Sequence, residues 1–337
     1  MSSQHHPTPT PAEAGARQLS RRDLLRYAAG GAGALGLSAL LAACGGSNRS
    51  QSQGSRPAAA PSGSIAALVA GTQQLSLLNA QSSLEVGRQL FTFGLSTPDN
   101  RLVVGGTPQL WAAIGDTDKA LGPFPVRSYQ LSAYNQTGDK SPKTDLTSYF
   151  GAEVTLPQPG NWQFVAVIDL NGQRSAGRGA VPVLAKAVAQ TGTKALAVAS
   201  PVATSPAELK KICTRVPPCR LHAISLDKAI ASGRPTVACF ATPLLCQSRM
   251  CGPVVDEVIV AAGKVPAGKA NFIHVEEFLQ PDPSKPNTTQ LSPTFKAWGF
   301  QTEPWTVVID RHGIIRDRFE GPVTAAQVEQ AVRPLLA

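Results

Sequence analysis

Residues Arg234–Val254 read RPTVACFATPLLCQSRMCGPV. Thr236–Ala241 is a continuous apolar run with the length of a buried strand. A short loop follows. Val254, Val255, Val258, Ile259 and Ala262 then recur at helical spacing, which predicts a helix over Gly252–Ala262. Cys246 and Cys251 lie at this strand-to-helix junction, with four residues between them. A helix start presents unpaired N–H groups and the positive end of the helix dipole, and both favour a thiolate.

Working outward, Leu226–Ala231 predicts a short helix before the strand. Ala270–Val275 predicts a second strand and Thr294–Trp298 a helical turn. Trp305–Asp310 and Ile314–Phe319 form a hairpin across Arg311-His312-Gly313, and Thr324 caps a last helix running to Leu336. The order is β-α-β-α-β-β-α. With Cys251-Gly252-Pro253 at a helix start, Thr302-Glu303-Pro304-Trp305 before the hairpin and the turn IDRHGII, residues 220–337 resemble a thioredoxin-like domain. The hairpin phrase is similar to the exported thiol-disulfide oxidoreductase branch.

The resemblance implies a redox cysteine pair with a cis-proline packed against it, and Pro304 matches that proline. In the family pattern C-G-P-C the first position is Cys251, but the fourth is Val254. We therefore expect Cys251 to be the nucleophile and Cys246 its disulfide partner. The alternative is a permanent Cys246–Cys251 disulfide that pins the loop to the helix. A copper site like that of the exported copper-delivery branch would need both cysteines and a histidine, but that branch places three residues between its cysteines. Cys239, mid-strand, is expected to be a buried, inert thiol. His274 is expected to be structural or at the surface, His312 exposed in its turn, and Asp256 and Glu257 to face solvent. Trp305 fits a peptide groove or the core.

Upstream, KICTRVPPCR carries Cys213 and Cys219 around Pro217-Pro218, which excludes a helix. A structural disulfide between them is the first expectation, with pairing to Cys246 and Cys251 left open. The alternative is a redox or metal pair: C-x5-C-x2-H, ending at His222, could bind a soft metal, but the spacing matches no common zinc pattern and the disulfide ranks first. No metal and no other cofactor is expected.

From 64 to 185, runs such as 75–80, 88–96, 109–114, 129–136 and 162–170 alternate with turn signals. PGNWQFVAVIDLNG fits a hairpin that resembles late strands of immunoglobulin-like domains. This predicts an all-β immunoglobulin-like sandwich followed by an α/β thioredoxin-like domain, joined by a linker over 186–219. The sandwich segment contains no histidine and no cysteine.

The N-terminus decides how the cysteines are read. Arg21 and Arg22 form a twin-arginine pair, an uncharged Ala/Gly/Leu run follows, and LAACG ends it at Cys44. This resembles the signal and lipobox of exported bacterial lipoproteins, with residues 1–43 the signal peptide and 44–63 a Gly/Ser/Pro tether. The resemblance implies lipidation at Cys44 and a place on the outer face of the cytoplasmic membrane. The compartment is then one where disulfides persist. The 337 residues carry a net charge of +9, yet no Lys/Arg run is interleaved with aromatics, so no nucleic-acid partner is expected. The expected function is membrane-tethered, extracytoplasmic thiol-disulfide exchange with exported protein thiols or a redox partner. The alternative is a non-catalytic binding or metal-handling lipoprotein with structural disulfides.

Overall fold

The computed structural model describes residues 62–131, 133, 147–186, 188–246, 248–279, 288 and 290–337. Arg21, Arg22, Cys44, the tether and the end of the strand expected over 129–136 lie outside them.

Alternating apolar residues build the first half. After helix α1 (Ile65–Val69) come β1 (Gln73–Asn79), β2 (Leu84–Glu85), β3 (Gly87–Ser96), β4 (Gln109–Ala113), β5 (Leu121–Gln130), β6 (Ser148–Leu156), β7 (Gly160–Leu170) and β8 (Gln173–Leu184). They form one sheet in the order β1-β3-β6-β5-β4-β7-β8-β2. A further parallel pairing of β1 with β8, from Gln73 opposite Ser175 to Ser76 opposite Arg178, joins the two sides of the sheet. Seven strands thus close into a barrel, with β2 appended on β8.

This overturns the expected fold class. The first half is not an immunoglobulin-like sandwich of two facing sheets but a single closed barrel, and a small α/β sheet follows it. The closing strands approach closely because β8 has glycines where a side chain would collide. A Cβ at Gly179 would lie 2.9 Å from Asn79 Oδ1 and 3.1 Å from the Leu77 carbonyl, and one at Gly177 would strike the Leu95 side chain. The lumen is filled by Leu75, Leu77, Phe91, Phe93, Leu95, Phe150, Trp162 and Phe164, with the Phe91 and Phe164 rings stacked at 4.1 Å. β7 and β8 form the hairpin read from PGNWQFVAVIDLNG. Leu170 pairs with Gln173 across Asn171 and Gly172, whose positive φ angles of 55° and 79° suit a two-residue turn. β5 escaped the sequence reading because Pro123 and Pro125, which argue against an inner strand, lie within it.

The second half begins with α2 (Pro206–Ile212) and α3 (Leu226–Ala231). It continues through β9 (Thr236–Phe240), α4 (Cys251–Lys264), β10 (Asn271–Val275), α5 (Pro293–Trp298), β11 (Trp305–Ile309), β12 (Ile315–Glu320) and α6 (Ala325–Val332). The elements from β9 onward follow the order β-α-β-α-β-β-α. The sheet order is β10-β9-β11-β12, with β10 parallel to β9 and β11 antiparallel to both neighbours. Alternation along β9 sends Val237 and Cys239 to one face, against Val254, Val255 and Val258 of α4 and Val328 of α6. Ala238 and Phe240 point to the other face, against Leu226 of α3 and Phe295 and Trp298 of α5. Thr324 caps α6 with a capping box closed by Gln327. Among the described residues no helix is long and apolar enough to cross a membrane.

Candidate functional site: a disulfide at a helix start and a buried cysteine–histidine cluster

β9 ends at Phe240, and the chain turns through Thr242, whose carbonyl accepts hydrogen bonds from the Leu245 and Cys246 amides. This turn swings Cys246 back over the start of α4, where Cys251 is the first helical residue. The two form a disulfide with their Cα atoms 6.1 Å apart. Cys251 is wholly buried, whereas Cys246 keeps 8% of its surface exposed and has Ser248 Oγ 3.2 Å from its sulfur. Access to the pair is therefore through Cys246.

Pro304, immediately before β11, follows a cis peptide bond. Glu303 immediately before it belongs to the same cluster: its carboxylate and the two sulfurs lie within 4.8 Å of one another. Burial pushes the Glu303 carboxyl up to about 9, and the nearby Glu277 and Glu276 carboxylates add to the effect. Its Oε2 has no hydrogen-bond partner among the described residues. Burial raises Glu277 as well. The disulfide thus faces a carboxyl held neutral at ordinary pH. Sequence reading missed Glu303; its place beside the cis-proline position was the available signal.

Two residues behave against expectation. Asp256 and Glu257, expected to face solvent, are 0% and 3% exposed. Asp256 Oδ1 accepts from Arg215 Nε at 2.7 Å, an ion pair buried on both sides. Glu257 accepts from the Ala133 amide at 2.9 Å and the Ala325 amide at 2.7 Å. Asp256 thus ties α4 to the loop carrying Arg215, and Glu257 ties it to the segment after β5 and to the start of α6. Trp305 lies in the core, its ring stacked on Phe300 at 4.6 Å. Cys239 is buried, and burial lifts its thiol to about 12. His312 is exposed.

Cys213 and Cys219 are free thiols, 3.9 Å apart and buried. The second histidine near them comes from β10: His274 Nδ1 lies 3.3 Å from Cys219 Sγ, 3.8 Å from Cys213 Sγ and 3.1 Å from His222 Nε2. His274, expected to be structural or at the surface, is thus a buried member of a four-residue cluster. Among the described residues, the cluster around Cys246 and Cys251 contains Glu303 and no histidine. The Cys219 contact, then burial, raises the Cys213 thiol above its ordinary range. Burial, then the His274 ring, holds His222 well below the usual histidine range.

No protein-family model matches the chain, and no curated protein matches it. Among solved structures, it is similar to a thiol:disulfide interchange protein of the thioredoxin family from Chlorobium tepidum TLS. The identity is 15%, 34% of this chain and 86% of the other are covered, and the TM-score is 0.27. It is also similar to a thioredoxin-like superfamily protein at 16% identity, again over 34% of this chain and 86% of the other, with a TM-score of 0.24.

Proposed function

We propose that the second half is a thioredoxin-like unit that exchanges thiols and disulfides through Cys246 and Cys251. The observation that carries this reading is the disulfide at the start of a 14-residue helix, with Cys246 reachable and a neutral carboxyl beside the sulfurs. A partner thiolate attacks Cys246 Sγ. The Cys246–Cys251 bond breaks, and Cys251 leaves as a thiolate at the helix start, where the dipole and free N–H groups stabilise it. The Glu303 carboxyl supplies a proton to that thiolate and is reprotonated from solvent. A second partner thiol then displaces Cys246. The partner dithiol becomes a disulfide, and the protein holds two thiols and two electrons more. Cys246 takes the intermolecular step and Cys251 the resolving one, the reverse of the roles expected from the sequence, an order suggested by the complete burial of Cys251 and the partial exposure of Cys246.

The near-complete burial of both sulfurs favours a second reading, a permanent structural disulfide. Redox titration in graded thiol buffers separates the two. A potential near roughly −200 mV suits exchange, and resistance to reduction below about −300 mV suits the structural reading. Loss of dithiol oxidation in Cys246→Ser, with a trapped mixed disulfide at Cys246 in Cys251→Ser, supports exchange. Unchanged activity in both variants overturns it.

We further propose, from Arg21, Arg22 and the sequence ending at Cys44, that the chain is exported and lipid-anchored facing exported protein thiols. Metabolic palmitate labelling that survives Cys44→Ser excludes the anchor.

A further inference from the structure

We propose that Cys213, Cys219, His222 and His274 form a structural zinc site, separate from the Cys246–Cys251 pair. Four ligand atoms from four buried residues lie within 4.8 Å of one another. A tetrahedral zinc with Zn–S of about 2.3 Å and Zn–N of about 2.0–2.1 Å requires ligand separations of about 3.8 Å for S to S, 3.6 Å for S to N and 3.3 Å for N to N. The cluster has 3.9 Å between its sulfurs, 3.3 and 3.8 Å from sulfur to His274 Nδ1, and 3.1 Å between the ring nitrogens. Four of the six edges of the coordination tetrahedron are thus close to their ideal lengths, and the two from His222 to the sulfurs lie within 4.8 Å.

The surroundings fit the same role. His274 presents Nδ1 to the cluster because its Nε2 donates to the Ala241 carbonyl at 2.8 Å, the outer contact that orients a ligating imidazole. The Cys219 amide donates to Cys213 Sγ at 3.4 Å, which supports negative charge on that sulfur. Two sulfur and two nitrogen ligands in a tetrahedron suit zinc, and four protein ligands close the site, as in structural rather than catalytic centres. Zinc displaces one proton from each thiol. Two thiolates and two neutral imidazoles around the dication leave a neutral site, which suits full burial. The ion would fasten the loop carrying Cys213, Cys219 and His222 to β10. Sequence spacing hides the set because His274 lies 55 residues beyond Cys219 and reaches it only through the sheet.

The test is metal analysis of the full chain, isolated under reducing conditions and exposed to zinc. We expect one tightly held zinc per chain, and protons released as zinc is taken up. Cobalt substitution should give the intense visible bands of a tetrahedral thiolate site. Chelation should make two further thiols reactive toward Ellman's reagent. The metal should be lost in Cys213→Ser and in His222→Gln and kept in the double variant Cys246→Ser/Cys251→Ser. Should the ligand variants fail to fold, chelation, proton release and the cobalt spectrum of the unaltered chain still decide the matter. A folded, reduced chain that takes up no zinc overturns the proposal. So does a Cys213–Cys219 disulfide in the freshly isolated protein, uptake of copper(I) but not zinc, or loss of zinc only in the Cys246/Cys251 variant. These outcomes are independent of whether Cys246 and Cys251 exchange disulfides.

Discussion

Glu303 shows how one side chain links stability to chemistry. Its carboxyl is neutral in the fold up to about 9, whereas an unfolded glutamate ionises near 4.5. As pH rises above that value, the unfolded chain releases the proton and the folded one keeps it, so the unfolded state is progressively favoured. For a single proton the loss is at most about 1.4 kcal/mol per pH unit, and it levels off near the folded value. Glu303→Gln removes this penalty. It should raise the thermal midpoint at pH 8 more than at pH 5, and equal shifts at both pH values contradict the assignment. Glu276 and Glu277 face the same carboxyl, so the reference for each measurement is the protein with both retained. The same variant cannot supply a proton to Cys251. Disulfide exchange at pH 7 should slow on the order of 10²-fold, the lower range for a lost general acid, as read by stopped-flow reduction with a model dithiol. None of this was visible in the sequence, because the Glu303 environment is made by β10, β11 and the turn after β9 together.

At the scale of elements, two junctions carry the site and the barrel. The loop before His222 is held to α4 by Arg215 and Asp256, a pair buried at both ends. Breaking a buried ion pair by removing one member costs about 3–5 kcal/mol. Arg215→Leu should therefore lower the urea midpoint by that equivalent. A change under about 1 kcal/mol, the usual worth of a surface pair, shows that the buried pair does not matter. The other junction is the contact of β1 with β8. Gly179→Val, whose side chain would meet Asn79 and Leu77 of β1, should force the two strands apart and destabilise the chain by roughly 1–3 kcal/mol, the usual cost of overpacking. An unchanged midpoint in denaturant argues against closure. Local signals made the β7–β8 hairpin, the Thr324 cap and the order of elements from β9 onward readable, since each depends on neighbours along the chain. The closure was not readable. It pairs segments about 100 residues apart, and alternation along a strand is the same in a sandwich and in a barrel.

Over the whole molecule, the barrel and the α/β half belong to one unit, Pro57–Ala337. Glu257, on the helix that starts at Cys251, binds an amide after β5 through one oxygen and the first amide of α6 through the other. Arg318 pairs with Glu85 across the same boundary, and the Ser82 amide donates to Glu320 at 2.9 Å. Glu257→Leu would orphan two buried amides, each on the order of 1–3 kcal/mol. We expect a clear drop in the calorimetric midpoint, or a single transition split into two, with Glu257→Gln milder. A midpoint equal to that of the unaltered chain excludes the bridge. The helix bearing the disulfide is thus anchored in the barrel, which positions Cys251 from a distance. Local patterning along the chain was enough to locate the Cys246–Cys251 junction, its helix and its hairpin, because strand, turn and helix signals act over a few residues. Only the tertiary structure decided that the first half closes on itself, that Asp256 and Glu257 are buried ties, that Glu303 faces the disulfide and that His274 meets Cys213 and Cys219. Each of these depends on residues brought together through space, where burial and hydrogen-bond satisfaction rather than spacing select the partners.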